Sequence, residues 1–232
     1  VLDLVPYYYK LDGKEQDHTP TQDQKAAIVE VHYIAFVGKK EYEKRIEGSF
    51  ERSTIHIEHA YARPDALLNA LTSDQDVLQG CAILDLGAQT TTLRLYKGTQ
   101  YLHAQVIAQG GLDITEAISE EFGISLMYAE HLKCKYGVAL PGLVEANKRY
   151  VVRGENGQQV AITTQELATL ISKKLENILA PLIDVVNKEA NRYNILYVTG
   201  GGAMLQGIVE YIQLYTRINV AYGSHAGWLT AD

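Results

Sequence analysis

The chain has 232 residues, 47% hydrophobic and 21% charged, with a net charge of −7 at pH 7; it is long enough to bury a sizeable core and too acidic for a general nucleic-acid binder. No apolar run is long enough to span a bilayer and no basic, apolar-cored leader opens the chain, so the cytoplasm is the expected compartment. With Val1 and not Met at its start the sequence is expected to be a fragment, and Cys81 and Cys134 fit no metal or redox spacing and read as reduced thiols.

Residues 1–24 read as a strand through Tyr9, a turn at Asp12-Gly13 and a polar segment broken by Pro20. A lone strand cannot satisfy its edges, so this one is expected to pair elsewhere in the chain or with another chain. Residues 26–37 alternate as a β-branched strand, and a helix follows over 41–52 with Tyr42, Ile46 and Phe50 on one face. A short strand over 54–58 and a helix opened by Pro64 come next. Strands alternating with helices imply an α/β layer architecture. His56 and His59 would point to opposite faces of a strand, which excludes joint chelation of one ion.

The chain is organised around residues 81–96, CAILDLGAQTTTLRLY, read as a strand, a tight loop and a second strand. Asp85 is the one charged residue in an apolar strand, and a buried carboxylate is costly unless it meets a cation or polarised water. Gly87 permits close backbone approach, and the amides of Ala88, Gln89 and Thr90 could converge on phosphate oxygens. An Asp-x-Gly turn is also ordinary hairpin chemistry. A second stretch, ILYVTGGGAMLQG at 195–207, runs a strand through Gly200, Gly201 and Gly202 into a helix and removes every side chain where a flat ring could lie against backbone.

Between these stretches, a third strand over 101–109 leads through Gly110 and Gly111 into a helix capped by Asp113 with Glu116, its stripe formed by Ile114, Ile118 and Phe122. Ser125 caps a helix over 127–136 that stops at Gly137. On that helix Glu130 and Lys133 are close enough to act on one ligand, although read alone they form a solvated ion pair. His131 and Cys134 share a face but lack further ligands, which favours packing over a metal site. A hairpin turning at Asn156-Gly157 precedes a long helix opened by Thr163 and Glu166, with a stripe of Leu167, Ile171, Leu175, Ile178, Leu182 and Val186 and a kink expected at Pro181.

The motif DLGAQTT at 85–91 resembles the second phosphate motif of the superfamily that joins actin, heat-shock chaperones and sugar kinases. VTGGGAMLQG at 198–207 resembles its adenosine motif, in matching order and spacing. GGLDIT at 110–115, AEHLKCKYG at 129–137 and the opening VPYYYKLDG are similar to the bacterial FtsA cell-division family in particular. The alternatives are a PilM-like pilus-assembly protein and a sugar-kinase-branch phosphotransferase. The resemblance implies an α/β fold with actin-like (ribonuclease H-like) mixed sheets flanked by helices, as a partial two-lobed molecule. Residues 1–24 would end an inserted subdomain and 25–79 form the later part of a first-lobe core. Residues 80–125 and 190–232 would form the second-lobe core, and 126–189 its peripheral subdomain.

Carried over residue by residue, the resemblance implies that Asp85 orients water or holds a hydrated Mg2+ beside the phosphates of ATP. Gly87, Ala88, Gln89 and Thr90 would line the phosphate tail next to Gly110 and Gly111. Glu130 and Lys133 would approach the ribose and adenine, above the turn formed by Gly200, Gly201, Gly202 and Met204. Gln89 replaces a common family glycine and Thr92 a common aspartate, which implies a weak ATPase at most. No Asp-x-Gly-Ser/Thr loop precedes Asp85, and no amphipathic membrane helix follows Gly223, so the piece itself is expected to be inactive and to lack the family's membrane tail. The implied function is recruitment of FtsZ polymers to the cytoplasmic face of the cell membrane at the division septum, with self-association into actin-like filaments. Residues 126–189 hold eight Lys or Arg against seven acids in an otherwise acidic chain. Arg149, Arg153, Lys173 and Lys174 are therefore the expected rim for the acidic and apolar C-terminal tail of FtsZ.

Overall fold

In the computed structural model, which describes residues 3–16, 20–58, 63–98 and 100–223, the Asp12-Gly13 pair turns β1 (Asp3–Leu11) back onto β2 (Lys14–Gln16). Both turn residues have positive φ, +49° and +77°, as a two-residue hairpin with right-handed strand twist requires. The strand that needed a partner finds it within the chain. It pairs antiparallel with β3 (Val29–Phe36) from Asp3 opposite Phe36 to Leu11 opposite Val29, and a bulge falls between Pro6 and Tyr8, where proline cannot donate to a ladder. Asp12 fastens the far end: its Oδ1 accepts from the Ile28 amide at 2.8 Å, and its own amide donates to the Ile28 carbonyl at 2.9 Å. The three-stranded sheet has the order β2-β1-β3.

Helix α1 (Lys40–Arg52) carries Tyr42, Ile46 and Phe50 on one face as predicted, and all three are exposed. The strand expected over 54–58 does not form. Thr54 takes φ +56°, and the Ile55 amide donates back to the Phe50 carbonyl at 3.1 Å, so this backbone closes the preceding helix instead of joining a ladder. His59 of the excluded histidine pair lies outside the described residues. Helix α2 (Arg63–Leu71) has Pro64 in its first turn as expected, and α3 (Asp74–Gln79), which the sequence reading missed, is opened by a reciprocal cap between Ser73 and Asp76.

The described residues cluster into two compact units, residues 3–78 with 96–101, and residues 79–95 with 102–223. The second contains β4 (Cys81–Leu86), most of β5 (Thr91–Lys97) and of β6 (Gln100–Ile107), α4 (Gly111–Phe122), α5 (Leu126–Tyr136), β7 (Arg149–Arg153), β8 (Gln159–Thr163), α6 (Thr164–Lys188), β9 (Ile195–Thr199), α7 (Ile208–Tyr215) and β10 (Asn219–Tyr222). Five strands form one mixed sheet of order β10-β9-β4-β5-β6, parallel across β10-β9-β4; the four-residue loop after β4 returns the chain as the predicted hairpin. All six residues of β4 are buried, which is why its sequence is continuously apolar apart from Asp85.

Alternate residues Ala82, Leu84 and Leu86 of β4, Leu93 and Leu95 of β5, and Leu196 and Val198 of β9 meet the apolar stripes of α4, α6 and α7 in one core. Each fully buried Leu or Ile contributes about 1.5–3 kcal/mol to that core. All six predicted stripe residues of α6 are buried, and the helix continues unbroken through Pro181. Its start follows the predicted reciprocal cap: Thr163 accepts from the Glu166 amide, and Glu166 accepts from the Thr163 amide at 2.9 Å.

Candidate functional site

The loop between β4 and β5 is pinned from behind. The amides of Gly111 and Leu112, at the start of α4, donate to the carbonyls of Gly87 at 2.9 Å and Ala88 at 2.8 Å, and the Gly87 amide closes the loop on the Thr90 carbonyl at 2.9 Å. This approach explains Gly110, where a Cβ would stand 2.4 Å from the Gly87 carbonyl oxygen. The Gly87 and Ala88 carbonyls are thus taken by α4, while among the described residues no turn or cap bond takes the amides of Ala88, Gln89 and Thr90, all on exposed residues. Successive backbone amides left open in this way suit an anion.

The expected cap between Asp113 and Glu116 is shifted by one turn. Asp113 Oδ2 accepts from the Gly110 amide at 2.7 Å, so Asp113 is the third residue of the helix and not its cap. The helix therefore begins close enough to the loop for its first amides to bind it.

A cleft of about 630 Å³ opens beside this loop, entirely within the second unit. Of the residues named from the sequence, Gly87, Ala88, Gly110, Gly111, Glu130, Lys133, Gly201, Gly202 and Met204 line it. Gln89, Thr90 and Gly200 do not. Thr91, Thr115, Cys134 and the apolar wall formed by Ile114, Leu175, Ile178 and Leu179 line it as well, and none of them was expected there. Asp85, 5% exposed, precedes Leu86 of the wall and has its Oδ1 2.7 Å from where a Gly200 Cβ would stand. A 3-10 turn, Gly201–Met204, intervenes before α7 where the sequence reading ran the strand directly into a helix.

Across the cleft, Ser125 caps α5 as expected, accepting from the Tyr128 amide. Lys133 Nζ donates to Glu130 Oε2 at 2.7 Å, to the Gly111 carbonyl at 2.8 Å and to Thr115 Oγ1 at 2.8 Å. Thr115 Oγ1 donates in turn to Glu130 Oε2, and the Cys134 thiol donates to Glu130 Oε1 at 3.1 Å. Burial opposes the charged form of Glu130, but the bonds from Lys133, Thr115 and Cys134 outweigh it and hold its pKa below the ordinary 4.5. Burial, followed by the adjoining Glu130, pushes the Cys134 thiol up.

Arg149 and Arg153 stand on the exposed face of β7 with Val151; Lys173 is exposed and Lys174 half-buried on α6. His131 is exposed and packs edge-on against Tyr136. Among the described residues no three His, Cys, Asp or Glu gather as a metal site.

This sheet order, with a glycine-lined cleft at the ends of β4 and β9, places the protein in the actin-like class. The fold matches MreB5 of Spiroplasma citri bound to ADP with a TM-score of 0.66, at 16% identity, over 81% of this chain and 61% of that one. It also matches the PilM-PilN type IV pilus biogenesis complex with a TM-score of 0.65, at 19% identity, over 95% of this chain and 55% of that one. Within that class the chain belongs to the FtsA family: the family model for Cell division protein FtsA matches residues 82–230. It is 24% identical to FtsA of Streptococcus pneumoniae over 92% of this chain and 47% of the relative. It is 27% identical to FtsA of Neisseria meningitidis over 97% and 55%, respectively. The chain thus spans about half the length of the curated relatives it matches.

Proposed function

We propose that this chain is the nucleotide-binding portion of an actin-like cell-division adaptor, which binds ATP with Mg2+ and recruits FtsZ polymers to the cytoplasmic face of the membrane. The observation that carries the reading is the cleft itself. In a chain of the FtsA family, the cleft is lined by Gly87 and Ala88 of the β4–β5 loop, by the Glu130 carboxylate, and by Gly201 and Gly202 beside apolar side chains. Its volume falls within the range of small-ligand sites.

Mg2+ keeps several waters and takes one or two carboxylates together with phosphate oxygens. Among the described residues no three His, Cys, Asp or Glu gather, so an ion at Asp85 would be one carried in by the nucleotide. Bound Mg-ATP would supply the phosphoryl bond and the charge. The loop amides would hold phosphate oxygens, and Asp85 would orient a metal-bound or attacking water. Glu130 would accept from a ribose hydroxyl, while Leu175, Ile178 and Leu179 exclude water from the base. The division into residues 1–24, 25–79, 80–125 with 190–232, and 126–189, self-association into filaments, and the FtsZ-tail rim at Arg149, Arg153, Lys173 and Lys174 belong to the same proposal.

Isothermal titration with Mg-ATP, on the full natural chain that carries these residues, tests the site. Asp85→Ala is expected to abolish hydrolysis while changing affinity less, because the carboxylate's contribution grows in the transition state. Lost affinity with retained turnover would overturn the assigned role.

A further inference from the structure

The two charged residues of the cleft do not face a ligand equally. A lysine ammonium has three donors and no acceptor, and all three donors of Lys133 are occupied inside the protein, by Gly111, Thr115 and Glu130. Its side chain is 14% exposed, against 50% for Glu130. Glu130 is the reverse case. Oε2 holds Thr115 and Lys133, whereas among the described residues Oε1 receives only the weak thiol donor of Cys134, so lone pairs remain for a ligand hydroxyl.

The pivot is Thr115, 2% exposed. Its oxygen accepts from Lys133 and its single proton goes to Glu130 Oε2, although the Gly111 carbonyl also lies within reach at 3.1 Å. Since Lys133 already donates to that carbonyl, the carboxylate is the stronger claimant for the proton. The same Gly111 binds the β4–β5 loop through its amide. One chain of bonds therefore runs from Glu130 through Thr115, Lys133 and Gly111 to the Gly87 carbonyl.

We infer that Thr115 is a positioning residue that, with Lys133 bound to it, holds the Glu130 carboxylate toward the cleft. This rests on the nucleotide reading above. Valine at 115 keeps the shape and removes the hydroxyl, which leaves Glu130 Oε2 held, among the described residues, by Lys133 alone and one Lys133 donor unmet.

The experiment uses the full natural chain as wild type, Thr115→Val or Thr115→Ser, titrated with ATP and with 2′,3′-dideoxy-ATP, which lacks both ribose hydroxyls. Wild type is expected to prefer ATP by roughly tenfold, the value of a hydrogen bond to a charged group. Thr115→Val should lose most of that preference without weakening the dideoxy analogue, and Thr115→Ser should keep it. A valine variant that retains the preference, or a serine variant that loses it equally, overturns the inference while the nucleotide reading stands. If wild type binds neither nucleotide, the nucleotide reading fails, and the pH profile of Cys134 alkylation still decides whether Thr115 holds Glu130. Thr115→Val should bring that profile toward an ordinary thiol and Thr115→Ser should not; an unchanged profile in the valine variant refutes the positioning role.

Discussion

Three consecutive glycines, 200–202, occupy different environments, and substituting them separately tests the geometry at the end of β9. Gly200 has φ +87° and ψ 175°, a region populated almost only by glycine, and a side chain there costs about 1–3 kcal/mol. Its Cβ would also stand 2.5 Å from the Leu86 carbonyl oxygen and 2.7 Å from Asp85 Oδ1. Neither atom belongs to a flexible chain end, so overpacking adds about 1–3 kcal/mol. For a chain of this size each kcal/mol lowers the melting temperature by about 2–4 °C, so Gly200→Ala should fall on the order of 10 °C. At Gly201 an added Cβ meets nothing within 4 Å, and Gly201→Ala should leave stability within about 0.5 kcal/mol. Gly201 lines the cleft, so its variant should instead weaken ATP by roughly tenfold if the ring lies against this backbone. Differential scanning fluorimetry reads the first effect and titration the second. Equal melting temperatures for the two variants would refute the reasoning.

Arg94, 9% exposed, leaves its Nη1 buried and without a partner among the described residues; Arg94→Met should raise stability by about 1–3 kcal/mol, seen as a higher urea midpoint with an unchanged slope. Thr163→Ala should cost about 1 kcal/mol by removing the cap of α6, and a loss below a few tenths in the same unfolding assay would contradict the cap's role. Because the folded pKa of Glu130 lies below 4.5, its stabilisation is complete above that value and is lost as pH falls through the depressed one. Glu130→Gln should therefore flatten the acid limb of stability, and an unchanged limb in pH-dependent denaturation would count against the network. Fluorescence anisotropy with an FtsZ tail peptide should show binding that weakens with salt and falls in Lys174→Glu; salt-independent, unchanged affinity would remove the basic rim from the proposal.

The hairpin around Asp85 was legible because a strand buried on both faces must be apolar throughout, which makes a single carboxylate conspicuous. The long helix α6 was legible from its reciprocal cap and six-residue stripe, both of which the structure reproduces. The segment 54–58 was misread because its β-branched and histidine residues resemble a strand, while the bond from Ile55 to Phe50 that ends α1 leaves no trace in composition. The short elements α3 and β10 were missed for lack of enough residues to show a period. Thr115 was hidden for another reason: within the sequence it is an ordinary helical threonine, and its role comes from partners 15 and 18 positions away. Cys134 was seen only as half of an incomplete metal pair, although the i,i+4 spacing from Glu130 was available as a signal.

The central claim is that the cleft beside the β4–β5 loop is the nucleotide site. Amide chemical-shift perturbation on the full natural chain, titrated with Mg-ATP, tests it residue by residue. The account predicts saturable shifts concentrated at residues 87–91, 110–115, 130–134 and 201–205, with the largest at the amides of Ala88, Gln89 and Thr90. Saturable binding whose shifts cluster elsewhere, or no saturable shift at these residues, would contradict it.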